Sequence, residues 1–285
     1  MPASKTVLVT GATGFIGRAT VSALESSGWE VIKATRSIEQ SVAHGFVAFD
    51  LSEPAEILAM VKNARFDAIV HLGANIGWAG ATEPEMFVPN VLSTGCLGYL
   101  ATQWDAQLIF ASAAIVHGAR KEIIDIDSPI APDTPYGYSK WLGEQLLTAS
   151  HARHCILRIA GVFGYGGPTH LGLNHAIAHA MKGEVPTQIG SGRALRNYVY
   201  VKDVAQAIVY ALENQLAGVH LLAGDDVMQV STMLQEICDT FLPGQYPVIN
   251  SGPEATDQVI ASSCCLPRTR GFRQALIDIR DESSQ

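Results

Sequence analysis

The 285-residue chain reads as an α/β protein: a doubly wound parallel sheet with helices on both faces, and a smaller C-terminal substrate lobe interleaved with it. Three observations predict this. Short runs of Val, Ile and Leu without polar alternation read as strands buried on both faces. They alternate with stretches of helical period about 10 to 15 residues long. A glycine-rich turn joins the first such strand to the first helix.

In chain order, residues 5–10 (KTVLVT) form the first strand, and residues 18–27 form a helix through Ala19, Val21, Ala23 and Leu24, closed by Gly28. Strands follow at 30–34 and 46–49, then a helix at 54–63 and a strand at 67–72. Residues 91–104 make an uncharged helix with Leu92, Cys96, Leu100 and Trp104 as its apolar positions. Strands at 107–111 and 155–159 continue the sheet. From about Gly164, glycine and proline become frequent. A helix at 175–182, a strand–helix unit at 198–214 and a short strand at 219–223 follow. The expected division is 1–164 plus about 198–225 for the dinucleotide-binding domain, and 165–197 with 226–285 for the small lobe.

Composition narrows the function. Hydrophobic residues make up 48% and charged ones 16%, which excludes disorder. The net charge is −8 and the 19 basic residues are scattered, without the basic stripe that nucleic acid requires. The uncharged stretch worth testing as a span, 86–104, carries Pro89, Asn90, Ser93, Thr94 and Gln103, too polar to cross a membrane. No secretory segment precedes the glycine turn, and the five cysteines (96, 155, 238, 264, 265) form no CxxC pair. A cytoplasmic protein acting on a small molecule is expected, with no membrane and no nucleic-acid partner. The adjacent Cys264 and Cys265 read either as a redox pair or as incidental loop chemistry.

The turn is Thr10-Gly11-Ala12-Thr13-Gly14-Phe15-Ile16-Gly17. Glycines there permit a tight bend and let the backbone approach a pyrophosphate, while the helix N-terminus supplies free N–H groups and the positive end of its dipole. Gly11, Thr13, Gly14, Phe15, Ile16 and Gly17 are the candidate contacts. For NAD, an acid about 20 residues on would bind the ribose. That place holds Thr35, with Arg36 and Ser37 beside it. Arg36 would pair with a 2′-phosphate, so NADP is the first expectation and NAD the second; otherwise Arg36 is a solvated surface residue.

At Tyr136-Gly-Tyr-Ser-Lys140 the chain resembles the extended short-chain dehydrogenase/reductases, specifically the NAD-dependent epimerase/dehydratase (nucleotide-sugar) family. TGATGFIG looks like that family's TGxxGxxG, and Phe49-Asp50-Leu51 like its adenine-contacting acid. His71-Leu72-Gly73-Ala74 looks like its HLAA, and the stretch from Ala111 to Gly118 like SSxxVYG. Pro135 to Lys140 is similar to PYGxSK, Leu157-Arg158…Val162-Phe163-Gly164 to LRxxNVYG, and the run from Arg196 to Ala205 to RDFVHVxDVA. The resemblance implies cofactor contacts at Asp50, Leu51, Leu72, Gly73, Ala74, Tyr136 and Lys140, and places Arg196 on a substrate diphosphate; a local salt bridge is the alternative for that arginine. Asn75, His117 and Asn174 are the further substrate candidates.

Tyr136 and Lys140 share one helix face by their i,i+4 spacing. A free tyrosine, with a pKa of about 10, is a poor base, and a neighbouring ammonium favours its phenolate. Tyr136 is therefore the expected catalytic acid/base and Lys140 its tuner, with Ser112 as the third catalytic candidate. Ala113 stands where the family has a second hydroxyl, and Ser112 lies one residue earlier, on the opposite face of an extended strand. Ala114 and Ile115 stand where the 4,6-dehydratases carry Asp-Glu, so dehydration is not expected. Gly161 replaces the asparagine of LRxxNVYG, and His117 the tyrosine of VYG. His175 and His179 lack the glutamate of HExxH, and no metal site is expected.

Three readings follow: a reductase of a 4-keto nucleotide sugar, a 4-epimerase with tightly held NAD, or a non-catalytic dinucleotide-binding regulator. The helices at 91–104 and 136–149 resemble the pair that family members use for a homodimer contact, or else are simply buried in the monomer.

Overall fold

The computed structural model describes residues 5–36, 45–62, 64–77 and 83–284, apart from the side chains of residues 61, 83 and 84. Ser37, expected at the cofactor, and part of the 76–87 loop lie outside the described residues.

Seven strands form one parallel sheet: β1 (Thr6–Thr10), β2 (Glu30–Thr35), β3 (Phe46–Ala48), β4 (Ala68–His71), β5 (Gln107–Ala113), β6 (Arg153–Ile159) and β7 (Gly218–Leu222). Their order is β3-β2-β1-β4-β5-β6-β7. The chain thus winds outward from β1 in both directions, and the order reverses between β1 and β4, where such sheets place their ligands beyond the carboxyl ends of the strands. Val7 faces Val31 on one side and Ala68 on the other, and Ala68 faces Gln107. Val7, Leu8, Val9, Ile69, Val70, Leu108 and Ile109 are all wholly buried, which is why these runs carry no polar alternation.

The chain folds as two compact units. The first holds Met1–Ala119, Ser128–Arg158 and Val204–His220. In it, α1 (Phe15–Ser26) begins at the second glycine of the turn, with Gly14 extended as its N-cap, three residues earlier than its apolar spacing predicts. Phe15, Ile16 and Gly17 are therefore the first helical turn itself. Further on, α2 (Pro54–Ala59) tightens into a 3-10 turn at Met60–Lys62, shortening the helix expected to 63. A π turn at Val88–Leu92 precedes α3 (Ser93–Trp104), which ends at Asp105 in the left-handed region, φ 53°. The last helix described for the site is α4 (Pro135–Ala149), started by Thr134, whose hydroxyl accepts the Gly137 N–H, and by Pro135 in the first turn. A side chain at Gly98 would come within 2.9 Å of Leu147, so α3 and α4 pack closely through that glycine.

The second unit holds Arg120–Asp127, Ile159–Asp203 and Leu221–Gln285. It is built from two-stranded pairs: Val162–Phe163 with Val199–Tyr200, Thr187–Ile189 with Val248–Asn250, Ile123–Ile124 with Val259–Ile260, and Leu195–Arg196 with Met228–Gln229. Helices Gly172–Ala180, Val230–Phe241 and Phe272–Ser283 cover them. The helix expected at 175–182 runs Gly172–Ala180 instead, and Gly183, with φ +84°, closes the turn that follows it.

Among the described residues no helix is long and apolar enough to cross a membrane, and the five cysteines form no disulfide.

Candidate active site

The glycine turn at the end of β1 leaves no room for side chains. Gly11 has φ +66°, and a Cβ there would lie 2.7 Å from the Gly73 nitrogen. A Cβ at Gly17 would fall 2.0 Å from the Gly11 oxygen, so only glycine lets α1 close onto the turn. Gly14 donates its N–H to Gly11 O at 2.9 Å and offers the helix no side-chain cap. The first turn of α1 thus presents backbone N–H groups without a side chain between them and a ligand, which fits a pyrophosphate. Arg18 ties the loop through Thr13 O at 3.0 Å. Beside the turn, Asp50 accepts the Ser52 N–H at 2.8 Å, and Gly73 packs under Leu51, where a Cβ would sit 2.6 Å from the leucine methyl. Leu72 and Ala74 are partly exposed, and Arg36 is exposed at the carboxyl end of β2.

At the switch point, Thr10 ends β1 and His71 ends β4. Their side chains meet at 2.7 Å, His71 Nε2 meets Thr94 Oγ1 at 3.0 Å, and Thr10 Oγ1 accepts the Gly73 N–H at 3.1 Å. Thr94 donates to Asn90 O at 2.7 Å, so its oxygen accepts from His71, whose proton is on Nε2; Nδ1 then accepts from Thr10. Burial, and after it the charge of Lys140, lowers His71 to a pKa of about 3. The ring is neutral and structural.

Lys140 is 1% exposed on α4 and donates from Nζ to Ala111 O at 2.8 Å. The ammonium stands 5.8 Å from the centre of the Tyr136 ring and 4.6 Å from that of Phe110. Burial lowers its pKa to about 7, while the Glu144 carboxylate one turn further on pulls the other way. Burial pushes the Tyr136 phenol up to about 12, and its hydroxyl has no hydrogen-bond partner among the described residues. Behind it, Ser139 donates to Tyr136 O at 2.8 Å and accepts from Asn90 Nδ2, which also donates to Asn75 O. Asn75 itself holds its own turn: Oδ1 accepts from Gly77 and Nδ2 donates to Glu85 O.

The hydroxyl of Ser112, 3% exposed, donates to Glu144 at 2.5 Å. Glu144 is also gripped by the Arg158 fork, at 2.7 Å from Nη2 and 3.1 Å from Nε. Arg158 Nη1 donates to His117 Nε2 at 3.1 Å, and the other ring nitrogen donates to Pro129 O at 3.1 Å. His117 is 2% exposed with both nitrogens committed, and burial keeps it neutral by lowering its pKa. Ser112 and His117, expected at catalysis and substrate, are thus the two ends of a buried chain. Between them stand Glu144 and Arg158, whose roles spacing alone does not reveal. Ala113, half-buried, is the last residue of β5.

In the second unit, Arg196 donates to Leu195 O at 2.8 Å and Thr256 O at 2.6 Å and pairs with no carboxylate among the described residues. Asn174 is buried and clamps its own loop, accepting from Gly164 N–H and donating to Val162 O. Gly161 is covered by the Tyr198 ring, 2.6 Å from where a Cβ would stand. A cavity of about 440 Å³ is bounded by His175, His179, Gln188, Tyr198, Met233 and Leu234. The two histidine rings stack at 4.0 Å, and His179 pairs with Glu184 at 2.7 Å.

Residues 7–224 match the model of the NAD dependent epimerase/dehydratase family. The chain belongs to that family. It is 28% identical over 280 residues to a UDP-glucose 4-epimerase of Azospirillum brasilense, covering 86% of this chain and 80% of that one. It is 30% identical over 231 residues to a dTDP-6-deoxy-L-talose 4-dehydrogenase (NAD(P)(+)) of Kitasatospora kifunensis, covering 74% and 71%. The fold matches the UDP-glucuronic acid 4-epimerase of Bacillus cereus in complex with NAD, with a TM-score of 0.80, 21% identity and coverage of 97% and 95%.

The structure shows what lies beside Gly161 and Ala113, the two positions read in the sequence as departures from the motifs it resembles. At Gly161 the missing side chain is replaced in space by the Tyr198 ring. At Ala113 the strand stays extended, φ −136° and ψ 142°, so Ser112 points away and into its pairing with Glu144.

Proposed function

We propose that this chain is an NAD(P)-dependent oxidoreductase that reduces a 4-keto nucleotide sugar, with Tyr136 as proton donor. The observation that carries the reading is the state of Tyr136: a phenol held near pKa 12, its hydroxyl unclaimed, beside a buried lysine. A group in that state gives a proton to a carbonyl oxygen; as a base it would first have to lose its own. The glycine turn would hold a nicotinamide dinucleotide, which in its reduced form would supply the hydride. Tyr136 protonates the carbonyl oxygen as the carbon is reduced, and an ammonium at Lys140 stabilises the phenolate left behind. Ser112, bound to Glu144, acts by positioning α4 rather than by touching substrate.

Gly11, Gly14 and Gly17 hold the pyrophosphate, and Asp50, Leu51, Leu72, Gly73 and Ala74 border the adenosine half. Arg36, exposed at the end of β2, supports NADP as first choice, with NAD second. The curated relatives act on UDP- and dTDP-sugars by their names. An arginine without a carboxylate partner at Arg196, in the unit that also holds the 440 Å³ cavity, supports a nucleoside diphosphate portion there. Tyr99 on α3 and Tyr138 and Leu146 on α4 are exposed, which supports a homodimer through these helices. Five cysteines that form no disulfide among the described residues support a cytoplasmic setting.

A second reading, a 4-epimerase with tightly held NAD, is favoured by the similarity to UDP-glucose 4-epimerase over 86% of the chain. The two separate by experiment. Denaturing the purified protein and identifying released nucleotide by mass spectrometry distinguishes a cofactor exchanged every turnover from one that stays. Stoichiometric NAD supports the epimerase; an emptied protein preferring NADPH supports the reductase. Tyr136→Phe is expected to lose about 10²–10⁴-fold in turnover while still binding cofactor, and substantial activity in that variant overturns the catalytic assignment.

A further inference from the structure

Lys140 and Glu144 stand one turn apart on α4, and both are 1% exposed. Side chains at that spacing are neighbours on a helix, where a lysine and a glutamate ordinarily form an ion pair. Here they do not. The Lys140 ammonium donates to Ala111 O at 2.8 Å and meets no carboxylate among the described residues. Pairing is what offsets the loss of water around two buried charges, so a buried ammonium that leaves the adjacent carboxylate unused calls for a cause.

The cause lies on the neighbouring strands. Arg158, near the end of β6 and 8% exposed, takes both oxygens of Glu144 in its fork: Nη2 donates to Oε2 at 2.7 Å and Nε to Oε1 at 3.1 Å. Ser112, on β5, adds its hydroxyl to Oε1 at 2.5 Å. The other arm of the guanidinium, Nη1, donates to His117 Nε2 at 3.1 Å, and His117 is fixed in turn on Pro129 O. A bidentate fork binds a carboxylate more strongly and with more direction than the point charge of an ammonium does. Glu144 is therefore spent on β5 and β6, and Lys140 is left to the backbone of β5. The other groups that titrate beside the ammonium are Tyr136 on α4 and His71 at the end of β4, both uncharged at neutral pH.

We propose that Arg158 is a positioning residue: by occupying Glu144 it keeps that carboxylate from drawing Lys140 off Ala111 O, and so holds the ammonium beside Tyr136. The inference rests on the acid/base reading of Tyr136 and Lys140. Without Arg158, Lys140 is the cation one turn away from the freed carboxylate on the same helix. A lysine paired there turns away from the phenol and keeps its proton to a higher pH.

The test reads Lys140 through stability, on the full chain without added ligand. Urea denaturation of the parent at pH 7 and 9.5 should show the fold gaining stability with pH, because the unfolded chain keeps a Lys140 proton that the folded one releases. In Arg158→Gln, pairing with Glu144 retains that proton, and the gain should shrink to less than about half. Arg158→Gln/Glu144→Gln removes the acid as well, and the gain should return. Lost packing alone would lower stability equally at both pH values. Turnover of a 4-keto nucleotide sugar with NADPH is read alongside. Arg158→Gln should fall about 10²-fold in kcat, the cost of a catalytic group misplaced by about 1 Å, and the double variant should recover most of it. If Arg158→Gln does not fold, Ser112→Ala loosens the same carboxylate, and a reduced gain is expected there; an unchanged gain overturns the proposal. It is overturned too by an equal gain in the parent and Arg158→Gln, by a parent without the gain, or by a double variant no better than the single. A parent that turns over no 4-keto sugar defeats the reductase reading instead, and the stability gain still decides the role of Arg158.

Discussion

Thr10 and His71, the last residues of two neighbouring strands, share a 2.7 Å hydrogen bond in which the histidine Nδ1, its proton committed to Nε2 by Thr94, is the acceptor. The ring is held neutral, with a folded pKa of about 3 against 6.5 in the free side chain. Below pH 6.5 the unfolded chain therefore binds a proton that the folded one refuses. This contribution to stability is whole above 6.5 and is lost as the pH falls towards 3, at up to about 1.4 kcal/mol per pH unit. Urea denaturation at pH 7 and pH 5 checks this: His71→Asn, which does not titrate, should show a shallower acid loss than the parent. Thr10→Val should cost about 1–3 kcal/mol at either pH, because it leaves the Gly73 N–H buried without an acceptor.

Lys140 titrates with the same sign, in a higher pH window. Its folded pKa is about 7 and its free value 10.5. Between these values the unfolded chain holds the extra proton, so this residue makes the fold more stable as the pH rises from 7 to 10. Lys140→Met removes a buried charge and should abolish that rise, leaving stability at pH 7 unchanged or higher by about 1–3 kcal/mol, with turnover lost. Denaturation curves at pH 7 and 9.5 decide it; a variant much less stable than the parent at pH 7 would show that the bond to Ala111 O outweighs the burial of the charge.

Restoring asparagine at Gly161 should not restore the family's side-chain contact on its own. The new Cβ meets the Tyr198 ring, and overpacking of this kind costs about 1–3 kcal/mol. Gly161→Asn should therefore lower the melting temperature, and adding Tyr198→Ser should recover much of the loss. Equal destabilisation in the single and double variants would locate the cost elsewhere.

Ala113→Ser places a hydroxyl on the face of β5 that Ser112 does not reach. If that donor is what the site lacks, turnover rises by up to about 10²–10³-fold, the worth of one well-placed oxyanion donor. Unchanged kcat would mean that a substrate hydroxyl already serves.

The sheet was legible because its strands are buried on both faces and carry little else than Val, Ile and Leu; the glycine turn and the Tyr136–Lys140 spacing were legible because their geometry depends on neighbours in sequence. Helix starts were harder. The glycines of 14–17 hide that α1 begins there, and nothing in Val88–Leu92 announces a π turn. Partners brought together from afar were not legible at all. Arg158 shows nothing in sequence of its fork to Glu144, fourteen residues earlier in the chain. His117, Asn75 and Asn174 stand out as polar residues near motifs, yet their polar atoms hold backbone in place, which only the fold reveals.

The segment leading into α4 carries Pro129, Pro132 and Pro135 and is stitched back to the end of β5. Ala131 N–H reaches Val116 O, Pro129 O takes the His117 proton, and Asp133 accepts the Ala119 N–H. What looks in sequence like a loose connection has few conformations left to lose. Ordering a catalytic group costs entropy whenever it happens, and here it happens during folding, before any ligand arrives. A ligand that meets Tyr136 finds the phenol already at its post, so the free energy of the encounter need not be spent on assembling it.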